Sequence, residues 1–155
     1  MSLLKSIQLA IDLAILQRDE AAKALAQMTR GLGFAKDQMA QLEGYALDTD
    51  ARLVGVRDDA LSSELLRHHY QFMDRLQQAI GLQSGAIAEA RTRVDLAAKV
   101  LLRAELRLAG LSQVFETRQE AASKSKRRRE QRVTDEFAAM AYVRKNRHAE
   151  QEERI

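Results

Sequence analysis

Apolar residues recur along the chain at alternating steps of three and four. From Leu4 the steps land on Ile7, Ile11, Ala14, Arg18, Ala21, Leu25, Met28, Leu32, Ala35, Met39, Leu42 and Ala46, and Arg18 alone breaks the run. A repeat of 3.5 residues keeps one helical stripe turned toward a partner helix, so it predicts a coiled-coil seam. A second stripe runs through Leu66, His69, Met73, Leu76, Ile80, Gln83, Ile87, Ala90, Val94, Ala97, Leu101, Ala104, Leu108, Leu111 and Phe115, with His69 and Gln83 the polar exceptions. Between the stripes, over 47–60, the period fails and Gly55 and four Asp appear. Asp58 or Asp59 is suited to cap the second helix, because a short carboxylate accepts the orphan amide hydrogens there.

The pattern predicts an all-α fold, a long two-helix antiparallel coiled coil with an extended basic C-terminal helix. It reads as one coiled-coil domain over 1–155, with helix 1 about 3–47, a loop about 48–59, helix 2 about 60–145 and a frayed tail about 146–155. A turn near Asp59 pairs seam residues whose numbers sum to about 118. Leu42 then faces Leu76, Ala14 faces Ala104 and Ala21 faces Ala97. Leu25 faces Val94, and these two are expected to be fully desolvated. The layers that are not wholly apolar are Arg18/Leu101, Ala35/Gln83 and Thr49/His69. Leu4 lies opposite Phe115, so residues 116–155 have no partner within the chain.

Composition sharpens this picture. Among 155 residues there is no Pro, Cys or Trp, and Gly occurs 7 times. No disulfide, thiolate metal site or cysteine nucleophile is available, and loop-rich sandwiches and barrels are excluded by the scarcity of turn residues. Aromatics at 5 % and charged residues at 30 % suit a coiled coil better than a bulky core. Charge is divided unevenly. Residues 1–123 hold 15 Lys+Arg and 16 Asp+Glu, whereas 124–155 hold 10 and 6, so the net +3 arises at the C-terminal end. Such an end calls for an anionic partner. The apolar stretch Leu3 to Leu16 is interrupted by Lys5 and Asp12 and is followed by no small-residue cleavage site, so a leader peptide is not expected. No apolar run approaches the roughly 20 residues that span a bilayer. A cytoplasmic protein without direct membrane insertion is the expectation.

Candidate chemistry is sparse. His68 and His69 are adjacent, so on a helix they point about 100° apart and share a metal poorly; a seam His69 facing Thr49 is the better reading. The pairs Asp19-Glu20, Asp58-Asp59 and Asp135-Glu136 would need a pocket to split their pKa values before acting as acid and base. Solvated faces or caps account for them. Gly31-Leu32-Gly33-Phe34 imitates a phosphate loop, but Lys36 stands where the third Gly is required and no strand precedes it. No catalytic residue, metal or cofactor is assigned. The remaining feature is Lys124-Ser125-Lys126-Arg127-Arg128-Arg129-Glu130-Gln131-Arg132, followed by Val133, Phe137 and Met140 on one face at i, i+4, i+7 spacing. Nucleic acid is one anionic partner for it, but a basic zipper places its basic region before a parallel coil. A protein partner with an acidic channel fits the order seen here, so no nucleic acid is expected.

Several local strings carry a resemblance. They are Tyr70-Gln71-Phe72 with Leu76 and Ala79-Ile80, Val94-Asp95-Leu96-Ala97 with Lys99, Arg118-Gln119, and Asp135-Glu136-Phe137-Ala138 with Arg144-Lys145. Over nearly its whole length the chain resembles the FliJ family, small coiled-coil proteins of the flagellar type III export apparatus. The resemblance implies an antiparallel coiled coil similar to the central stalk of rotary ATPases, with no catalytic activity of its own. It implies three partners: the flagellar export ATPase hexamer, the cytoplasmic domain of the export gate protein, and export chaperones. It implies a cytoplasmic location, peripheral at the inner-membrane export apparatus. Gate binding carries over to Gln38, Leu42, Tyr45, Phe72, Leu76 and Ala79. Thr49 stands where the family pattern has an aromatic, and Gln83 where it has a His. ATPase binding falls to the basic overhang: Arg127, Arg128, Arg129, Arg132, Val133, Phe137 and Met140. The alternatives are the equivalent stalk of a virulence-type secretion system, a generic coiled-coil scaffold, and a nucleic-acid binder with a basic tail. Leu42 and Leu76 are seam positions, whereas Gln38, Tyr45, Phe72 and Ala79 sit one residue off the seam. They widen the apolar stripe on one side near the loop end.

Overall fold

In a computed structural model, which describes residues 2–55 and 63–155, the chain forms two helices, α1 (Leu3–Gly55) and α2 (Ser63–Glu153). Ala, Leu, Arg, Gln and Glu supply the helix propensity. Ser2 caps α1: its Oγ accepts the Lys5 amide at 3.3 Å, satisfying one of the unpaired N–H groups of the first turn. Gly55 is the last residue of α1, and Arg52 in its last turn complements the negative end of the helix dipole.

The two stripes are the residues that leave solvent. Every one of the 28 positions named above is at least partly buried, whereas most of their neighbours are exposed. Full burial is rare: among the described residues Ile11, Ala14, Ala21 and Leu76 are buried. A pair of helices covers each seam side chain from one direction only, so long side chains retain open flanks while alanines vanish into the contact. For that reason Leu25 and Val94 are half-buried rather than fully desolvated.

Two compact units divide the chain, Ala14–Arg107 and Met1–Leu13 with Leu108–Ile155. In the first unit the helices pair antiparallel. Gln83 Nε2 donates to the Ala35 carbonyl at 2.8 Å, a pairing whose numbers sum to 118, the expected register. His69 Nε2 lies 3.9 Å from Asp50 Oδ1. The pairing partner on α1 thus rises in number as that on α2 falls. In the second unit Ile11 is buried, and Leu108, Leu111 and Phe115 are partly buried. From Glu116 onward every residue is exposed, although the helix continues to Glu153.

The helix ends differ from the sequence reading. Residues 48–55 are helical rather than loop, because the period continues: Thr49 and Leu53 keep the three-four steps and are both partly buried, while Asp48 and Asp50 lie on exposed positions. Nor does the helix fray after Asn146, for residues 146–153 remain in α2. They contain no Gly or Pro and several strong helix formers. The proposed caps Asp58 and Asp59, and the turn near Asp59, lie outside the described residues.

Candidate docking strip and basic extension

Gln38, Tyr45, Phe72 and Ala79 each precede a seam residue, namely Met39, Ala46, Met73 and Ile80. They therefore occupy the same flank of their helices, and in an antiparallel pair these flanks lie on one side. Tyr45 is 59 % and Phe72 48 % exposed, large values for aromatic side chains beside a seam. Gln38 is exposed, Leu42 and Ala79 are partly buried, and Leu76 is buried. The six predicted gate-binding residues are thus not equivalent. Gln38, Tyr45 and Phe72 are presented on the surface, whereas Leu76 belongs to the core.

The polar seam layers resolve in three ways. Arg18 turns out of the seam, its Nε and Nη2 donating to Asp19 Oδ1 at 3.1 and 2.9 Å. His69 approaches Asp50 and packs edge-on against Tyr70 at 5.8 Å, while the Thr49 hydroxyl donates backward to the Tyr45 carbonyl at 2.7 Å. Gln83 reaches across the seam: besides the Ala35 carbonyl, its Nε2 contacts Gln38 Oε1 at 3.2 Å. The same flank continues along the hairpin. One groove, of about 560 Å³, involves Gln17, Ala24, Val100 and Arg107, and another, of about 230 Å³, involves Gly31, Ala86 and Arg93. Sequence reasoning marked Gln83 as a polar break in the seam but missed that its amide meets a strip residue.

The basic extension is built differently. Arg127, Arg128, Arg129, Arg132, Val133, Phe137 and Met140 are all exposed, with Val133 at 51 %, Phe137 at 69 % and Met140 at 67 %. Successive helical residues turn by about 100°, so Lys126, Arg127, Arg128 and Arg129 fan around the whole circumference. Val133, Phe137 and Met140 share one face. Among the described residues no group of three or more His, Cys, Asp or Glu is arranged to hold a metal ion. No described helix is long and apolar enough to cross a membrane.

The model of the family described as flagellar FliJ protein matches residues 4–147. The chain belongs to the FliJ family. It is 29 % identical to the flagellar FliJ protein of Salmonella typhi and 28 % identical to that of Escherichia coli (strain K12), in each case over 134 residues that cover 86 % of this chain and 91 % of the relative. A solved YscO homologue of Chlamydia trachomatis, CT670, shares the fold with a TM-score of 0.68, covering 90 % of each chain at 17 % identity. As a member of the FliJ family the chain is a component of flagellar type III protein export, and its architecture is the family's all-helical coiled coil.

Proposed function

We propose that this FliJ-family chain is a non-enzymatic stalk and coupling protein, acting in the cytoplasm at the inner-membrane export apparatus. The extension of α2 enters the ring of the flagellar export ATPase. The strip of Gln38, Leu42, Tyr45, Phe72, Leu76 and Ala79 docks on the cytoplasmic domain of the export gate, and the protein assists the turnover of export chaperones. The carrying observation is the extension itself, in which every residue from Glu116 to Ile155 is exposed and the basic residues surround the helix. A partner that docked on one face would leave half of these charges in water. A partner that encloses the helix uses them all, and charge on every side attracts an acidic channel without fixing one rotation of the rod. Arg127, Arg128, Arg129 and Arg132 supply long-range attraction, and Val133, Phe137 and Met140 the short-range contact.

Truncation after Ser123 tests this reading. The seam ends at Phe115, so the truncated protein is expected to stay helical, to bind the gate domain through the strip, and to lose stimulation of the ATPase. Normal stimulation by the truncated protein would overturn the assignment of the extension. Tight, salt-sensitive binding of the full chain to duplex DNA would favour a nucleic-acid role instead.

A further inference from the structure

The cross-seam amide of Gln83 has a consequence for what the strip can recognise. A backbone carbonyl only accepts hydrogen bonds, so the atom Gln83 places 2.8 Å from the Ala35 carbonyl must be its NH2 nitrogen. That same nitrogen lies 3.2 Å from Gln38, so the Gln38 atom facing it must be the carbonyl oxygen. Chemistry alone therefore orients both carboxamides. The two N–H bonds of Gln83 are both used, one on the backbone of α1 and one on a side chain three residues further along it. Gln38 has its oxygen engaged and remains exposed, with its NH2 group left for a partner.

We propose that Gln83 is a positioning residue of the docking strip, holding Gln38 so that it meets the partner as a hydrogen-bond donor. The partner group at this point is an acceptor, a backbone carbonyl or a carboxylate, seated beside the surface formed by Tyr45 and Phe72. This inference rests on the reading of the strip as the gate-binding surface. A polar residue at a single seam position is a known means of fixing register in coiled coils; here the same residue also fixes the donor sense of a surface side chain. A free glutamine would present either end of its amide and would lose rotamer freedom on binding. Gln83 removes both costs in advance.

The test uses the full chain, titrated with the purified cytoplasmic domain of the export gate, alongside thermal melting by circular dichroism. Gln38→Glu keeps an oxygen to accept from Gln83 but has no donor to offer. It is expected to leave the melting temperature unchanged and to weaken binding roughly three- to tenfold, the range of one net hydrogen bond. Gln83→Leu places an apolar side chain at the seam, so the hairpin stays folded while Gln38 is released; binding weakens by about threefold. In the double variant the two losses combine to less than their product, because both act through one contact. Phe72→Ala is the control for the strip. If Phe72→Ala weakens binding and Gln38→Glu does not, the inference fails and the docking reading stands. If Gln38→Glu lowers the melting temperature in step with affinity, the pair is merely structural and the inference is overturned. If Phe72→Ala is also silent, the docking reading falls and takes the inference with it.

Discussion

The described residues of Ala14–Arg107 and residues 116–153 are both helical, yet they are held by different physics. In the first, two helices share a seam and Ala14, Ala21 and Leu76 are buried. In the second, nothing is buried at all. All seven glycines lie between residues 31 and 110, and none lies in 116–155. Each helical glycine costs about 1 kcal/mol against alanine. A helix supported by packing tolerates that cost, whereas an unsupported one depends on propensity and local side-chain pairs. The extension is accordingly rich in Ala, Arg, Lys, Glu and Gln, and Gln131 Nε2 donates to Asp135 Oδ1 one turn away at 3.1 Å. The chain therefore has a part specified by contacts and a part specified by composition. The second is free to offer its whole circumference to a partner.

The sharpest way to break this contrast is to put the same charge in both parts. Leu76→Asp would bury a carboxylate without a partner in the paired stretch, at a cost of about 3 kcal/mol or more. Phe137→Asp changes a side chain that is already 69 % exposed. A large fall in melting temperature for the first and almost none for the second is expected by circular dichroism. Equal effects would mean that the extension is packed after all.

Next in size is the effect of charge on binding. Reversing Arg127, Arg128, Arg129 and Arg132 to Glu is expected to abolish ATPase stimulation with little change in hairpin melting. The difference from the native chain should be greater at low salt, because screening acts over about 8 Å at physiological ionic strength. ATPase assays across a salt series measure this. A loss independent of salt would mean that the arginines act through short-range contacts rather than long-range attraction.

The seam was readable in the sequence because a 3.5-residue repeat is itself a spatial constraint: residues that recur at that interval must share a face. Its register was readable too, since the layer Ala35/Gln83 follows from counting and the Gln83–Ala35 hydrogen bond matches it. The end of α1 was not. Four Asp and a Gly in 47–60 resemble helix breakers, but Asp48 and Asp50 fall on exposed positions where they cost little. Of the candidate sites, the charge asymmetry of the extension could be counted directly. The strip was only half legible. Spacing separates Tyr45 and Phe72 from the seam, but their exposure and the burial of Leu76 depend on how much of each flank a two-helix pair covers. Similarly, His69 marks a polar layer by its position, whereas its approach to Asp50, an exposed residue beside the seam, is visible only in the structure.

A smaller effect probes the surface of the paired stretch. Phe72→Ala is expected to weaken gate-domain binding by about 2 kcal/mol, as for an aromatic anchor at the centre of an interface. Helicity should be preserved, because the side chain is 48 % exposed. Titration calorimetry together with a melting curve separates the outcomes. Much earlier melting would place Phe72 in the core and remove it from the strip.

The smallest expected effect returns to the glycines. Gly85 lies within α2 on an exposed position; its backbone has an ordinary helical hand, and a Cβ added there would meet nothing within 4 Å. Gly85→Ala therefore introduces no clash, reduces the freedom of the unfolded chain and raises helix propensity. A stabilisation of about 0.5–1 kcal/mol is expected in chemical denaturation, with an unchanged denaturant slope. The reverse substitution in the extension, Ala139→Gly, has the same intrinsic cost but no seam to absorb it. It should appear as a local loss of amide-exchange protection around residue 139, while the main unfolding transition stays where it was. If Ala139→Gly instead shifted the global transition as much as Gly85→Ala does, the extension would be unfolding with the hairpin. Composition alone would then not be what holds it.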